Sequence, residues 1–227
     1  MSALRNFLLA VLAEIVAAII IFFTATWRSK AVRRALTAVA SAFLNVDIQY
    51  VFSSGADAEN SIKQALNRAG GVKIFAGRGN SFQRDLFASL LAKGGGKRPC
   101  IQVLLPDPSS KWVDLREGEL AAFDRSFGHG TLSRQIENVL SFLQPHVDTG
   151  HFDVRKYDAP HICRIILTDE YLFLTPYSRL MHGRHSRVYQ FGRGDMYDMF
   201  ERFFDIVWAA SHDGALMRLS KSAPARP

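Results

Sequence analysis

The sequence predicts an α/β fold, a sheet with flanking helices, preceded by one transmembrane helix and an amphipathic stalk helix. Three observations predict it. A 21-residue apolar run, FLLAVLAEIVAAIIIFFTATW, opens the chain with a single charge inside it. Beyond residue 47, short β-branched and aromatic runs alternate with helical periodicity and are punctuated by Gly and Pro. From residue 152 the rhythm becomes four strand-like runs in succession before a last aromatic-rich helix.

The span comes first. As a helix at about 1.5 Å per residue, the run covers roughly 30 Å, the thickness of a hydrocarbon core. The rival is a cleaved signal peptide, but this run is longer than a usual apolar h-region, carries Glu14 and lacks a clean Ala-x-Ala exit. Residues 1–27 are therefore expected to be a single-pass anchor. Arg28, Lys30, Arg33 and Arg34 follow it and only Arg5 precedes it, which places the rest on the cytoplasmic side of the inner membrane. Two cysteines, Cys100 and Cys163, with no paired spacing fit a reducing compartment and exclude a disulfide framework or a four-thiolate zinc site. An ionisable group within a span is costly facing lipid, so Glu14 is expected either to line a pore formed by several copies or to sit near the outer interface.

Residues 28–46 read as an amphipathic helix. Val32, Leu36, Val39, Phe43 and Val46 recur at alternating steps of four and three, the seam spacing of a coiled coil, so a homo-oligomer is expected; the same stripe also suits packing on the chain's own domain.

The domain at 47–212 follows in order. Asp47 to Ser54 alternates as a strand, and a helix runs from about Glu59 to Arg68, closed by Gly70 and Gly71. Val72 to Ala76 is a strand, Ser81 to Lys93 a helix, and Ile101 to Leu105 a strand ending before Pro106. Residues 109–146 are a helical connection, amphipathic from Thr131 to Gln144. Strands are expected at Phe152 to Asp158, Ile162 to Asp169, Tyr171 to Tyr177 and Ser186 to Arg193, with a helix from Met196 to Ala210. Sequential βα units imply parallel strands. Residues 213–227 read as a disordered tail.

This order, with the segment RKYDAPHICRIILTDEYLFLTPYS from Arg155 to Ser178, resembles one phospholipase D-like unit over roughly residues 47–211. The resemblance implies a phospholipase D-like mixed sheet and a His-x-Lys-x-x-x-x-Asp signature. Setting Asp169 on its aspartate puts Arg164 in the lysine slot and Ile162 in the histidine slot. His161 is one residue away, which on a regular strand is the opposite face unless a bulge intervenes. Chemistry in that family is implied to run through a phosphohistidine, with a second histidine protonating the leaving oxygen. With an aliphatic slot, the expectation is a domain that binds phosphate through Arg164 without cleaving it. The alternative is a membrane-anchored phosphodiesterase, a nuclease or phospholipase, using His161, Asp169 and Arg164.

Charge supports an anionic partner. The net +7 is concentrated: residues 1–34 hold five basic groups against one acid, and residues 155–193 hold seven against three. The loop Gly77 to Phe82 joins a strand end to a helix start, where Arg78, Asn80 and Ser81 are candidate phosphate contacts. Arg155, Arg179, Arg184 and Arg187 complete the candidate set, and Tyr157, Tyr177 and Tyr189 are interspersed for base stacking. No histidine shows metal-ligand spacing, so neither metal nor cofactor is expected. The layout is similar to bacterial antiphage membrane effectors, including DNA-gated channel components of the Hailong type. That likeness implies an ion channel or pore gated by a nucleotide or single-stranded oligonucleotide, with membrane lipid, further copies of the chain and a signal-synthesising nucleotidyltransferase as partners. A third reading is a structural anchor whose basic face docks on anionic lipid.

Overall fold

The computed structural model describes residues 14–17, 21, 29, 32, 35–37, 39–40, 47–83, 100–122, 124–150, 152–177 and 183–211. The chain divides into two compact units, Met1–Tyr50 and Val51–Pro227. In the first, residues 14–17, 21, 35–37 and 39–40 are helical, and Ile15, Val16, Ile21, Leu36 and Val39 are exposed. Among the described residues no helix is long and apolar enough to cross a membrane. The expected span at 1–27 and stalk at 28–46 lie mostly outside the described residues, as do the expected tail at 213–227 and the helix expected beyond Gln83.

From Ile48 onward the chain builds a seven-stranded mixed sheet. Its strands are β1 (Ile48–Phe52), β2 (Gly71–Phe75), β3 (Cys100–Pro106), β4 (Phe152–Tyr157), β5 (Cys163–Thr168), β6 (Leu172–Pro176) and β7 (Val188–Phe191), in the order β1-β7-β6-β5-β2-β3-β4. β2, β3 and β4 run parallel, and β5 pairs antiparallel with both β2 and β6, as β6 does with β7. The parallel part is where βα units were expected, and the antiparallel part is where strands follow one another through short turns. The central strands are buried on both faces: Ile74 and Phe75 on β2, Val103 to Leu105 on β3, and Ile165 to Leu167 on β5.

Among the described residues four α-helices accompany this sheet. α1 (Gly55–Arg68) starts from Ser54, whose hydroxyl accepts the Asp57 N–H at 3.2 Å, with Asp57 in the first turn and Arg68 in the last to complement the helix dipole. It buries Ala58, Ile62, Ala65 and Leu66, one face at helical spacing. α2 (Lys111–Ala121) is capped by Ser110, which also donates to Asp158. α3 (Thr131–Asp148) is entered through Gly130 at φ 76°, and its first N–H, from Thr131, is met by the Glu117 carboxylate of α2 at 2.7 Å. α4 (Asp195–Ala210) sets Asp195 and Asp198 in its first turn and buries Tyr197 and Phe204.

The register brings several chain segments to one end of the sheet. Phe75 at the end of β2 pairs with Ile165 near the start of β5, and Cys163 pairs with Pro176 at the end of β6. Consequently the residues after β2, before β5, after β6 and before β7 meet above the carboxyl ends of the parallel strands, the usual place for a ligand in such sheets.

Candidate functional site

A cavity of about 150 Å³ opens at that end. The loop after β2 contributes Gly77, Arg78, Gly79 and Asn80; the approach to β5, His161; β5 itself, Arg164; the exit of β6, Tyr177; the approach to β7, Gly183 and Arg184; α1, Glu59; and α2, Arg116. Ala56, Ala76, Leu120 and Leu132 complete the wall with apolar surface.

The loop is shaped by its glycines. Gly79 sits at φ 73°, and a Cβ there would lie 2.8 Å from Val139 Cγ1 and 2.9 Å from Leu105 Cδ2. Gly77 lies against Tyr177, whose ring would meet an added Cβ at 2.9 Å and whose phenol oxygen accepts the Gly77 N–H at 3.2 Å. Gly183 closes on the other edge of the same ring, again at 2.9 Å. Tyr177 is thus held between two backbone segments that only glycine lets approach. Burial raises its phenol above the ordinary range, opposed by the nearby Arg164 charge and the Gly77 hydrogen bond.

Four arginines face this space among the described residues, each held differently. Arg78 donates to Gln135 Oε1 at 3.3 Å and lies 5.6 Å from the Phe127 ring centre. Arg116 is buried, pairs with Glu119 at 2.7 Å and lies 5.8 Å from the Tyr177 ring centre. Arg184 is exposed at the rim, its carbonyl accepting the Gly55 N–H at 2.9 Å. Arg164 donates to Thr175 Oγ1 at 3.3 Å, while its Nε is shielded from solvent and hydrogen bonded to nothing among the described residues. Burial lowers its pKa, with Tyr177 and then Glu59 holding it up.

His161 lines the cavity with them. Sequence alternation placed Ile162 in the site and turned His161 away; the structure shows the reverse. β5 begins only at Cys163, and the preceding Asp158–Ile162 segment turns, with the Ile162 N–H donating to the Pro160 carbonyl at 3.1 Å. Strand alternation therefore stops short of both residues. Ile162 is 60% exposed, whereas His161 is mostly buried, with its ring 5.7 Å from Tyr157. Both ring nitrogens are shielded and unpartnered among the described residues. Burial, then the Arg116 charge, lowers its pKa to about 4, so the imidazole is neutral at pH 7.

Of the residues expected from sequence, Arg78, Asn80, Arg164 and Arg184 are brought together here. Asn80 donates to the same Gln135 oxygen as Arg78, at 3.4 Å. Two residues of the expected set lie outside the cavity. Arg155 does not face the cavity: it donates to the Trp208 carbonyl at 3.1 Å and lies 4.5 Å from that indole's centre, an attachment of β4 to α4. Arg187 is exposed and outside the lining. Arg179 and the side chain of Ser81 lie outside the described residues. Glu14 is helical and exposed in the first unit. Of the tyrosines considered for stacking, Tyr157 is buried against Phe75 with ring centres 4.4 Å apart, and Tyr177 is fixed as described. Asp169, used to set the register, is exposed beyond the opposite end of β5, where it accepts the Gly70 N–H.

Sequence reasoning missed Glu59 and Arg116. Both stand on helices where a charged residue ordinarily reads as solvated surface, and only the packing of α1 and α2 beside the strand ends turns them inward. Among the described residues no group of three or more His, Cys, Asp or Glu side chains could hold a metal ion.

No protein-family model matches the chain, and no curated protein matches it. Solved structures share its outline distantly. TrmBL2, described as an archaeal chromatin protein with a novel mode of DNA binding, superposes with a TM-score of 0.46 at 13% identity, over 89% of this chain and 69% of its own. NucT from Helicobacter pylori gives 0.45 at 11% identity, over 72% and 97%. Phosphatidylserine synthase from Haemophilus influenzae Rd KW20 gives 0.47 at 12%, over 71% of this chain and 38% of its own. Likeness at this level brings no activity or ligand across to this chain.

Proposed function

We propose that the second unit is a binding domain for a phosphodiester ligand, a nucleotide or single-stranded oligonucleotide, seated on Arg164 and His161. One observation carries this reading: three shielded nitrogens, His161 Nδ1 and Nε2 and Arg164 Nε, have no partner among the described residues and belong to residues lining an arginine-lined cavity. Buried polar groups left unpaired are costly, and a bound oxyanion would satisfy them together. Guanidinium groups meet phosphate oxygens in a planar fork, and the exposed Arg184 would attract the anion from solvent. The resemblance of the Arg155 to Ser178 segment to a phospholipase D-like unit supports the same ligand chemistry.

In the full chain this domain is the receptor of a membrane-anchored homo-oligomer in the inner membrane. Its N-terminal spans form a channel or pore whose permeability follows ligand binding, in the manner of an antiphage effector served by a nucleotidyltransferase. Gating requires that the ligand bind one arrangement better than the other. The apolar run at 7–27, with Glu14 inside it, supports this assignment.

A second reading, a phosphodiesterase, is favoured by the placement of His161 in the cavity beside Arg164. A neutral imidazole is the nucleophilic form, but with one histidine among the described lining residues, protonation of the leaving oxygen would need a donor from a second copy.

Fluorescence anisotropy of purified full chain with a labelled single-stranded oligonucleotide tests the binding. Arg164→Glu is expected to weaken it at least about 100-fold with the oligomer intact, since each buried charged contact contributes on the order of 2–3 kcal/mol. Unchanged affinity would overturn the site. Turnover of bis-p-nitrophenyl phosphate that disappears in His161→Ala would replace the binding reading with the enzymatic one.

A further inference from the structure

We infer that Glu59 is the specificity-determining residue of the pocket, and that its ligand carries an N–H or O–H donor beside a single phosphodiester group. The substrate class is a base- or hydroxyl-bearing nucleotide unit, and polyphosphates and bare phosphate are disfavoured. This rests on the phosphodiester-binding reading above.

Glu59 lies in the second turn of α1, past the capped first turn, so the helix does not need its carboxylate at the N-terminus. It lines the cavity together with Arg164 and its charge reaches that guanidinium. Nearby acids on α2 are committed elsewhere: Glu117 accepts the Thr131 N–H, and Glu119 pairs with Arg116. Glu59 therefore serves as the counter-charge of Arg164 until a ligand arrives.

A carboxylate in a phosphate pocket is a repulsive element, and such elements discriminate between ligands. It opposes each further negative charge brought near Arg164. A carboxylate accepts hydrogen bonds and donates none, so it rewards a ligand that presents a donor. Base edges and sugar hydroxyls supply such donors. The apolar surface of Ala56, Leu120 and Leu132 suits the flat body that carries them.

The test compares two labelled single-stranded oligomers of equal length on the purified full chain, one with bases and one with abasic tetrahydrofuran units, with pyrophosphate as competitor. The native chain should bind the base-bearing oligomer at least about tenfold tighter, one hydrogen bond to a charged group. Glu59→Ala, which keeps helix propensity, should bring the ratio near unity and strengthen pyrophosphate competition several-fold, while Glu59→Asp restores the preference. A ratio unchanged in Glu59→Ala, or equal binding of both oligomers by the native chain, overturns the inference. If Arg164→Glu still binds both oligomers as the native chain does, the phosphodiester-binding reading itself falls.

Discussion

The two ends of the six-residue strand β5 are built in opposite ways. At the Thr168 end every polar group named has a partner. The Tyr171 N–H donates to Thr168 Oγ1 at 3.1 Å, the Tyr197 hydroxyl donates to the Thr168 carbonyl at 2.7 Å, and Arg193 Nε donates to the Asp169 carbonyl at 2.7 Å while lying over the Tyr197 ring. Asp169 itself holds the Gly70 N–H, stitching the β5 turn to the start of β2. At the Cys163 end, His161 and Arg164 carry shielded nitrogens with no partner among the described residues. One end is closed on itself and the other is left open, in the same strand and within one register. Satisfied polar groups stabilise a turn, whereas the unsatisfied ones beside the cavity are those the proposed ligand would pair.

Acid should break this contrast most sharply. The folded-state pKa of His161 is lowered to about 4 from 6.5, so the unfolded chain takes up the proton first. Stability from this group is present above pH 6.5 and is lost as pH falls toward 4, by about 3 kcal/mol in all. Urea titrations between pH 7 and 4 should show that loss in the native chain and a flatter profile in His161→Gln. Equal slopes in both would mean the imidazole is not in a desolvated site.

A smaller effect is expected from the loop that builds the open end. Gly79→Ala puts a Cβ against Val139 and Leu105 at a positive φ, so the midpoint of thermal unfolding should fall, equivalent to about 2 kcal/mol. Oligonucleotide affinity should fall with it, because Arg78 and Asn80 flank that glycine. A variant as stable as the native chain would show that the loop has room to shift.

The smallest effect belongs to the closed end. Asp169→Asn should cost about 1 kcal/mol through its hydrogen bond to Gly70. Oligonucleotide affinity should stay within about twofold, since distant sites act independently. A loss of binding without a loss of stability would place Asp169 in the site and undo the comparison.

Burial also predicts slow chemistry at Cys163. Its thiol is pushed up to about 12 by desolvation, so alkylation at pH 8 should proceed far more slowly in the folded chain than in urea.

The sequence by itself determined the order and type of the elements, because period-2 and period-3.6 apolar patterns and Gly or Pro punctuation are local properties. Among the described residues, the seven strands and four α-helices from Ile48 onward fall where those patterns stand. It also picked out Arg78, Asn80, Arg164 and Arg184, which line one cavity, since a strand-to-helix loop and a basic run are legible without coordinates. Tertiary structure alone decided which charges share a cavity. His161 enters it because a turn at Pro160 ends strand alternation before Cys163. Arg116 and Glu59 enter it because α1 and α2 pack beside those strand ends, and Arg155 is withdrawn by Trp208, 53 residues further along the chain. Periodicity predicts which way a side chain points only while the backbone stays regular, and ligand sites form where regular strands end.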